Sequence, residues 1–215
     1  MCGYVGFVNK NLVNKEPVIK KMMDRIIHRG PDSEGFYTDE NVALGFRRLS
    51  IIGLEDGMQP IYYEDKSLVL LFNGEIYNYK ELKEDLIAKG HSFYTHSDSE
   101  VLIHLYEEEG EEMLPKLRGM FSFTIYSKDE GSLFIARDYF GIKPLYYGTF
   151  GESFIFGSEI KSFLDYPKFK KELNLDALES YLSFQYSSLQ ETFFKNIFKL
   201  TPGHYLKYKD GAIQI

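Results

Sequence analysis

A cysteine directly after the initiator methionine is the residue of this chain with the clearest chemical potential. Cys2 is the only cysteine among the 215 residues, and a small residue at this position lets aminopeptidase remove Met1. The mature chain would then carry a thiol and an α-amine of pKa about 7.7–8.0 on one residue. Such a residue supplies a nucleophile together with its own base, without a histidine. The alternative for Cys2 taken alone is a small apolar side chain in a first strand.

An Asn-Gly pair follows a predicted strand and could stabilise an oxyanion. Asn73 and Gly74 come directly after the apolar run 68–72. A thiol that attacks a carbonyl forms a tetrahedral intermediate, which needs hydrogen-bond donors aimed at its oxygen. A side-chain amide and the unobstructed N–H of a glycine supply two such donors from adjacent positions. The competing interpretation is an Asn-Gly hairpin turn, although residues 75–86 predict a loop and a helix rather than a returning strand.

Strand alternation places one arginine on an apolar face. In the strand predicted over residues 41–52, one face carries Val42, Leu44, Phe46 and Arg48. A charge on such a face is costly unless it is paired or bound to a ligand. The planar guanidinium suits a substrate carboxylate, and a structural salt bridge is the alternative. We therefore expect Arg48 to be buried and to face a cleft, and Arg47 to point elsewhere.

Asp98 is the candidate partner for a substrate ammonium. It lies within Ser97-Asp98-Ser99-Glu100, which matches a capping box at the start of a helix. The structural alternative is therefore that Asp98 satisfies free N–H groups and offsets the helix dipole. Together, Arg48 and Asp98 would hold an α-amino acid by both ends of its backbone. The charged turn 29–32 is assigned mostly to structure, at the border of the site.

Composition argues against several other classes of protein. The net charge of −7 disfavours nucleic acid or an anionic membrane as the main partner. A hydrophobic content of 44% and an aromatic content of 16% predict a substantial core rather than disorder. A single cysteine forms no internal disulfide, and no signal peptide or stretch of transmembrane length is apparent. We expect a cytoplasmic protein.

The sequence predicts no cofactor for this chain. Neither a GxxxxGK[ST] nor a GxGxxG glycine loop occurs, so ATP is not expected to bind here. No metal is expected either, because no HxxxH or Cys/His motif is formed by the five histidines His28, His91, His96, His104 and His204. His104 is expected to be a half-buried structural residue of a helix.

Strands outnumber helices and often follow one another directly, which indicates an α+β fold with largely antiparallel sheets. Strands are predicted over residues 4–8, 41–52, 68–72, 120–126, 133–136, 145–147 and 154–156, with a terminal hairpin of 205–208 and 212–215. Helices are predicted over residues 17–27, 78–89, 97–106 and 176–182. No linker divides the chain, so we treat residues 1–215 as one domain.

A series of short stretches, in order along nearly the whole chain, resembles a known family. They are Met1-Cys2-Gly3, HRGPD (28–32), RLSI (48–51), FNGEIYNY (72–79), SDSEVL (97–102), RGMFSF (118–123), ARDYFGIKPLYY (136–147), GSEIK (157–161) and TPGHYL (201–206). The chain resembles the class II glutamine amidotransferases, and most of all the glutaminase domain of glutamine-hydrolysing asparagine synthetases. The form NGEIYN separates these synthetases from their phosphoribosyl- and sugar-transferring relatives.

The resemblance implies a fold and a set of residue roles. The fold is the N-terminal nucleophile hydrolase fold, a four-layer αββα sandwich of two antiparallel sheets. Cys2 would be nucleophile and base, with Asn73 and Gly74 as the oxyanion hole. Glutamine would be held by Arg48, Glu75, Asp98 and backbone groups of Leu49, Ser50, Ile51 and Ile52. Two arginines precede Leu49 where most relatives have one, and we align Arg48 with the family residue.

The implied reaction is hydrolysis of L-glutamine to L-glutamate and ammonia through a thioester on Cys2. In a full-length synthetase, ammonia would reach a β-aspartyl-AMP intermediate on a C-terminal synthetase domain, which would carry ATP and Mg. The SGGxDS motif of that domain is absent from this chain, which we expect to be a partial amidotransferase. The expected partners are L-glutamine and that domain or an equivalent acceptor domain, with a homodimer as a further candidate. Two alternatives are a glutaminase that feeds a sugar acceptor and a non-catalytic glutamine-sensing module, which should have lost Cys2 or the Asn-Gly pair.

Overall fold

The computed structural model describes residues 1–50, 57–186 and 190–215, and its strands form two six-stranded antiparallel sheets. In chain order the strands are β1 (Gly3–Val8), β2 (Ser33–Thr38), β3 (Val42–Arg48), β4 (Ile61–Tyr62), β5 (Leu68–Ile76), β6 (Gly119–Ser127), β7 (Ser132–Arg137), β8 (Tyr146–Phe150), β9 (Ser153–Gly157), β10 (Ile197–Lys199), β11 (Tyr205–Lys209) and β12 (Ala212–Gln214). The first sheet has the order β10-β8-β9-β1-β3-β2, and the second has the order β12-β11-β7-β6-β5-β4.

Four α-helices are present in the described part of the chain. They are α1 (Glu16–Asp24), α2 (Tyr79–Ala88), α3 (Glu100–Glu109) and α4 (Leu175–Phe184). Short 3-10 helices cover Ile27–Arg29, Gly110–Lys116 and Ile160–Asp165. None of these described helices combines the length and the apolar character needed to cross a membrane.

The layers follow from the alternation of side chains along the strands. On β1, Tyr4 and Val8 point into a cluster that also contains Val69 and Leu71 of β5, so the two sheets face each other. Side chains of opposite phase on the first sheet, such as Phe7, pack against α1. The outer face of the second sheet packs against α2 and α3. The predicted α+β class and four-layer αββα sandwich are therefore confirmed.

Two strand boundaries near the candidate site differ from the predictions. The strand predicted over 41–52 ends at Arg48, and the last residues of that span lie partly outside the described residues. The strand predicted to end at residue 72 instead continues to Ile76 as β5, because β6 pairs with it along its whole length, as far as Gly119. Asn73-Gly74 is thus not a hairpin turn, and the loop predicted to begin at residue 75 is instead the end of β5.

Three strands were not predicted, namely β2, β4 and β10. β4 and β10 are too short to show a period in the sequence, and β2 is an edge strand whose side chains are mostly half-buried. The terminal hairpin is confirmed, with Asp210 and Gly211 at positive φ angles of 49° and 86° in its turn.

Candidate active site

Cys2 lies at the start of the central strand of the first sheet. The strand that follows it, β1, is paired with β3 on one side and β9 on the other. The backbone N–H of Leu49 donates to the Cys2 sulfur at 3.3 Å, and the Leu49 carbonyl oxygen lies 3.4 Å from the same sulfur. The Arg29 Nε donates to the carbonyl oxygen of Cys2 at 2.9 Å. Leu49 therefore contacts the thiol, and Arg29 holds the backbone of the same residue.

Most of the predicted site residues line one cavity between the two sheets. Its lining includes Cys2, Arg48, Leu49, Asn73, Gly74, Glu75 and Asp98. Ser50 is not part of this lining, and its backbone N–H donates to the Asp32 carboxylate at 2.8 Å. Ile51 and Ile52 lie outside the described residues. The fold thus brings together residues that are almost one hundred positions apart in the sequence.

The two neighbouring arginines have different surroundings. Arg48 is 6% exposed and lines the cavity with Cys2, as its phase with Phe46 predicts. Arg47 is also buried, at 8%, but it donates to the backbone oxygen of Met23 at 3.3 Å and pairs with Asp24 and Glu34. Arg47 thus makes structural salt bridges on the α1 side of the sheet.

The side-chain amide of Asn73 has the features expected of an oxyanion donor. Asn73 is 1% exposed, and its Nδ2 has no hydrogen-bond acceptor among the described residues. A buried donor without a partner costs free energy, and functional sites are one place where such donors persist. The amide lies on the cavity wall and can donate to a ligand there.

The backbone N–H of Gly74 lies on the edge of β5 that faces away from β6. The N–H of Phe72 donates to the Gln59 side chain at 2.7 Å, and the N–H of Ile76 donates to Asp98 at 2.8 Å. N–H groups alternate between the two edges of a strand, so that of Gly74 lies on this edge and away from β6. β4 pairs only with Val69 and Leu70 and so does not cover this part of the edge.

Close packing explains why position 74 is a glycine. A Cβ atom there would lie 2.3 Å from the backbone oxygen of Met120 and 2.7 Å from the Cα of Phe121. Both atoms belong to the backbone of β6 and cannot move aside without disturbing the sheet. Glycine therefore lets the two strands approach while the Gly74 N–H remains directed toward the cavity edge.

Asp98 does not act in a capping box, so that prediction was wrong. α3 begins at Glu100, and Ser99 before it makes no side-chain cap hydrogen bond. The Glu100 carboxylate instead accepts the N–H groups of Tyr94 at 2.9 Å and Thr95 at 2.7 Å. The Asp98 carboxylate lines the cavity and accepts the Ile76 N–H of the second sheet at 2.8 Å and the Ser97 hydroxyl at 3.4 Å.

The electrostatics around Asp98 favour a cationic ligand. Burial raises the pKa of the Asp98 carboxyl, the Ile76 N–H opposes that rise, and the neighbouring Glu75 carboxylate adds to it. Two carboxylates therefore line one small cavity, the buried Asp98 and the half-buried Glu75. An ammonium group between them would offset the cost of burying their charge.

Lys143 is a cavity residue that the analysis of the sequence did not single out. It is almost fully buried; burial lowers the pKa of its ammonium, while Glu75 and Cys2 raise it. Its position depends on Asp138, whose carboxylate accepts the backbone N–H groups of Phe140, Ile142 and Lys143 at 3.1, 2.9 and 2.9 Å. The signal in the sequence was the stretch ARDYFGIKPLYY, which contains both residues.

The turn 29–32 borders the site, as expected. Arg29 contacts the Cys2 carbonyl and also pairs with Glu159 at 2.9 Å, and Asp32 holds the N–H of Ser50. These contacts fix the backbone on both sides of the thiol.

Two facing antiparallel sheets, with a near-terminal thiol and an amide donor in the cavity between them, define the class of N-terminal nucleophile amidotransferase domains. The model of the glutamine amidotransferase domain family matches residues 1–215, and the chain belongs to that family. It is a class II domain that closely resembles the N-terminal glutaminase domain of asparagine synthetases.

Curated relatives of high similarity are glutamine-hydrolysing asparagine synthetases. The chain is 48% identical over 218 residues to asparagine synthetase 1 of Bacillus subtilis, covering 99% of this chain and 34% of that protein. It is 45% identical over 169 residues to the asparagine synthetase of Zea mays, covering 77% of this chain and 28% of that protein. The chain thus spans about a third of the length of these relatives.

Among solved structures, the fold matches glutamine phosphoribosylpyrophosphate amidotransferase from B. subtilis. The TM-score is 0.71 at 22% identity, over 99% of this chain and 48% of that one. At this identity the match supports the fold alone. It agrees with the layers described above.

Proposed function

We propose that this domain hydrolyses L-glutamine to L-glutamate and ammonia, with Cys2 as the nucleophile after removal of Met1. The observation that carries the proposal is the shared cavity of the Cys2 thiol and the unpartnered Asn73 amide. A nucleophile and a buried donor at one cavity suit attack on a carboxamide, because the oxygen of the substrate becomes negative in the transition state.

In the first half-reaction, the thiol of Cys2 transfers its proton to its own α-amine and the sulfur attacks the Cδ of glutamine. The carbonyl oxygen becomes an oxyanion, which accepts hydrogen bonds from the Asn73 Nδ2 and the Gly74 N–H. The C–N bond then breaks, and the protonated amine gives its proton to the departing ammonia. A γ-glutamyl thioester remains on Cys2.

In the second half-reaction, the α-amine takes a proton from a water molecule, which attacks the thioester carbonyl. The same donors hold the second oxyanion. The C–S bond breaks, the thiol regains its proton and glutamate leaves. This sequence uses only groups of the chain and water, so we expect the hydrolysis to need no cofactor.

We infer that substrate recognition depends on the charged residues of the cavity. The Arg48 guanidinium would hold the α-carboxylate of glutamine, and Asp98 with Glu75 would hold the α-ammonium. Leu49 would contribute backbone contacts beside the thiol. Ser50, whose N–H is held by Asp32, would act through that backbone conformation, and roles for Ile51 and Ile52 remain predictions.

We further propose that the ammonia serves asparagine synthesis on a C-terminal synthetase domain, which would bind ATP and Mg. The similarity to whole asparagine synthetases supports this acceptor. So does an exposed aromatic pair beside Lys143, because Tyr139 is 81% exposed and Phe140 is 79% exposed, as expected of a surface that meets another domain. A cytoplasmic location fits the same role, and a homodimer remains a separate prediction.

A sugar-amidating acceptor is the alternative within enzymes. The reading frame beyond residue 215 distinguishes the two, because an SGGxDS motif there supports asparagine synthesis and its replacement by a sugar-binding domain contradicts it. The non-catalytic sensing module is disfavoured by the retention of Cys2 and the Asn-Gly pair.

Trapping of the thioester tests the hydrolysis itself. Protein incubated with glutamine and hydroxylamine should release γ-glutamyl hydroxamate, because hydroxylamine competes with water for the thioester. Protein with Cys2→Ala should release none. Equal hydroxamate formation by both proteins would contradict the proposed nucleophile.

A further inference from the structure

Two histidines that do not line the cavity face each other in the structure. His91 lies in the connection between α2 and α3, and His104 lies on α3. Their Nδ1 atoms are 3.2 Å apart. His104 is fully buried, not half-buried as predicted, and it packs against the rings of Tyr63 and Phe93. The pair is separated by 13 positions and therefore forms no motif in the sequence.

The far nitrogen of each imidazole faces a carboxylate. The Nε2 of His91 lies 3.0 Å from Glu108, and the Nε2 of His104 lies 3.6 Å from Glu100. The contact with Glu108 favours the proton on the His91 Nε2 and leaves a lone pair on its Nδ1. The His104 Nε2 has no hydrogen-bond partner among the described residues, but the Glu100 charge on its side favours the proton there as well. Two Nδ1 lone pairs at 3.2 Å repel each other unless a proton or a cation lies between them.

Glu64 supplies a third candidate ligand, a carboxylate oxygen, at the same place. It lies in the turn after β4, and the backbone N–H of Ser92 donates to its carboxylate at 3.1 Å. One ligand atom each from Glu64, His91 and His104 lie within 4.8 Å of one another. Two nitrogens bound to tetrahedral zinc at about 2.0–2.1 Å are roughly 3.3 Å apart, which is close to the spacing of this histidine pair. The exposed Glu64 side chain can close the remaining gap.

The local charge also favours a cation. Carboxylates surround the pair at Glu64, Glu100 and Glu108, and the ammonium of Lys89 lies 3.3 Å from Glu108. A set of two imidazoles and one carboxylate, with further carboxylates behind the imidazoles, is one of the donor sets that bind zinc in proteins.

We propose that Glu64, His91 and His104 bind one zinc ion. The ion would link the turn after β4, the α2–α3 connection and α3. The same connection carries Asp98 into the cavity, so zinc would stabilise the segment that presents this carboxylate. The ion takes no part in the hydrolysis of glutamine. The proposed zinc site therefore does not depend on the proposed hydrolysis.

Titration of zinc into chelator-treated protein tests the site. The Cys2→Ala background removes the thiol as a competing ligand. Isothermal titration should show one zinc per chain, and Co²⁺ should give the visible absorption of a tetrahedral site. Zinc should also raise the unfolding temperature, because it binds the folded state.

Variants at the edge of the site make the test specific without disturbing the buried His104. Glu108→Gln should weaken zinc binding by about 10–100-fold, as expected for a partner behind a ligand. His91→Gln should weaken it more, whereas His204→Gln, at an exposed histidine, should leave it unchanged. Absence of stoichiometric binding in the Cys2→Ala parent, or equal affinity in His91→Gln and that parent, would overturn the site and show that the imidazoles share a proton.

Discussion

The Asp98 carboxylate is held by the backbone N–H of Ile76 at 2.8 Å. This bond joins the end of β5 to the α2–α3 connection and fixes a buried charge beside Glu75. The bond favours a role of Asp98 in the cavity over the helix-cap interpretation, because a carboxylate bonded to the second sheet is not capping α3. A substrate ammonium is the partner that the proposed function assigns to it.

Asp98→Asn should raise the KM for glutamine by more than tenfold. A hydrogen bond to a charged group contributes about 1.5–3 kcal/mol, and the amide oxygen can still accept the Ile76 N–H. Steady-state glutamate release measures the effect, with Asp129→Asn in the exposed β6–β7 turn as the control. An unchanged KM in Asp98→Asn would reject the assignment.

The same variant should be more stable than the parent at neutral pH in the absence of glutamine. Burial raises the pKa of Asp98, so its contribution to stability is fully present below the ordinary pKa of aspartate and is lost as pH rises through the raised value. The difference in the free energy of unfolding should therefore shrink as pH falls through that range. Denaturant unfolding at several pH values measures it. A variant that is less stable at neutral pH would contradict the argument.

Substitution of Arg48 should affect glutamine binding, whereas substitution of Arg47 should affect stability alone. Arg48→Met should raise the KM for glutamine by more than tenfold, since it removes a charged hydrogen-bond donor worth about 1.5–3 kcal/mol. Arg47→Met should leave KM unchanged and cost about 1 kcal/mol or less, because its partners Asp24 and Glu34 remain hydrated. Kinetics and urea unfolding of both variants provide the comparison. A raised KM in Arg47→Met with an unchanged KM in Arg48→Met would show that Arg47 holds the substrate instead.

Asn73→Ala should lower kcat by about 10²–10³-fold, the usual effect of removing one oxyanion donor. KM should change little, because the donor acts mainly on the transition state. The fold should tolerate the change, since the Nδ2 has no partner among the described residues. Asn11→Ala on the exposed surface is the matched control. Retention of full kcat in Asn73→Ala would remove the residue from the mechanism.

Local sequence patterns predicted the placement of a site residue correctly where a single strand determines it. The phase of Arg48 in β3 was sufficient to predict that it lines the cavity, because the alternation of side chains is a property of the strand itself. The Asn-Gly pair was recognised for its donors, but its strand conformation depends on pairing with β6, which is distant in sequence.

The capping box failed for a different reason. The sequence Ser97 to Glu100 fits the motif, yet the Glu100 carboxylate accepts the N–H groups of Tyr94 and Thr95, which precede the motif along the chain. Lys143 and the His91–His104 pair were missed because only the fold brings their partners close. Long-range packing, which no local period encodes, accounts for the omission of Lys143 and of the histidine pair.

The central claim is that the α-amine of Cys2 is the catalytic base. With Met1 in place, that nitrogen is an amide, and the Met1 side chain lines the cavity with its sulfur 3.2 Å from the Lys143 ammonium. Intact-protein mass spectrometry, paired with a glutamate-release assay on each form, tests the claim most directly. Protein that starts at Cys2 should hydrolyse glutamine, whereas protein that retains Met1 should be inactive or nearly so. Full activity with Met1 demonstrably in place would show that another residue is the base.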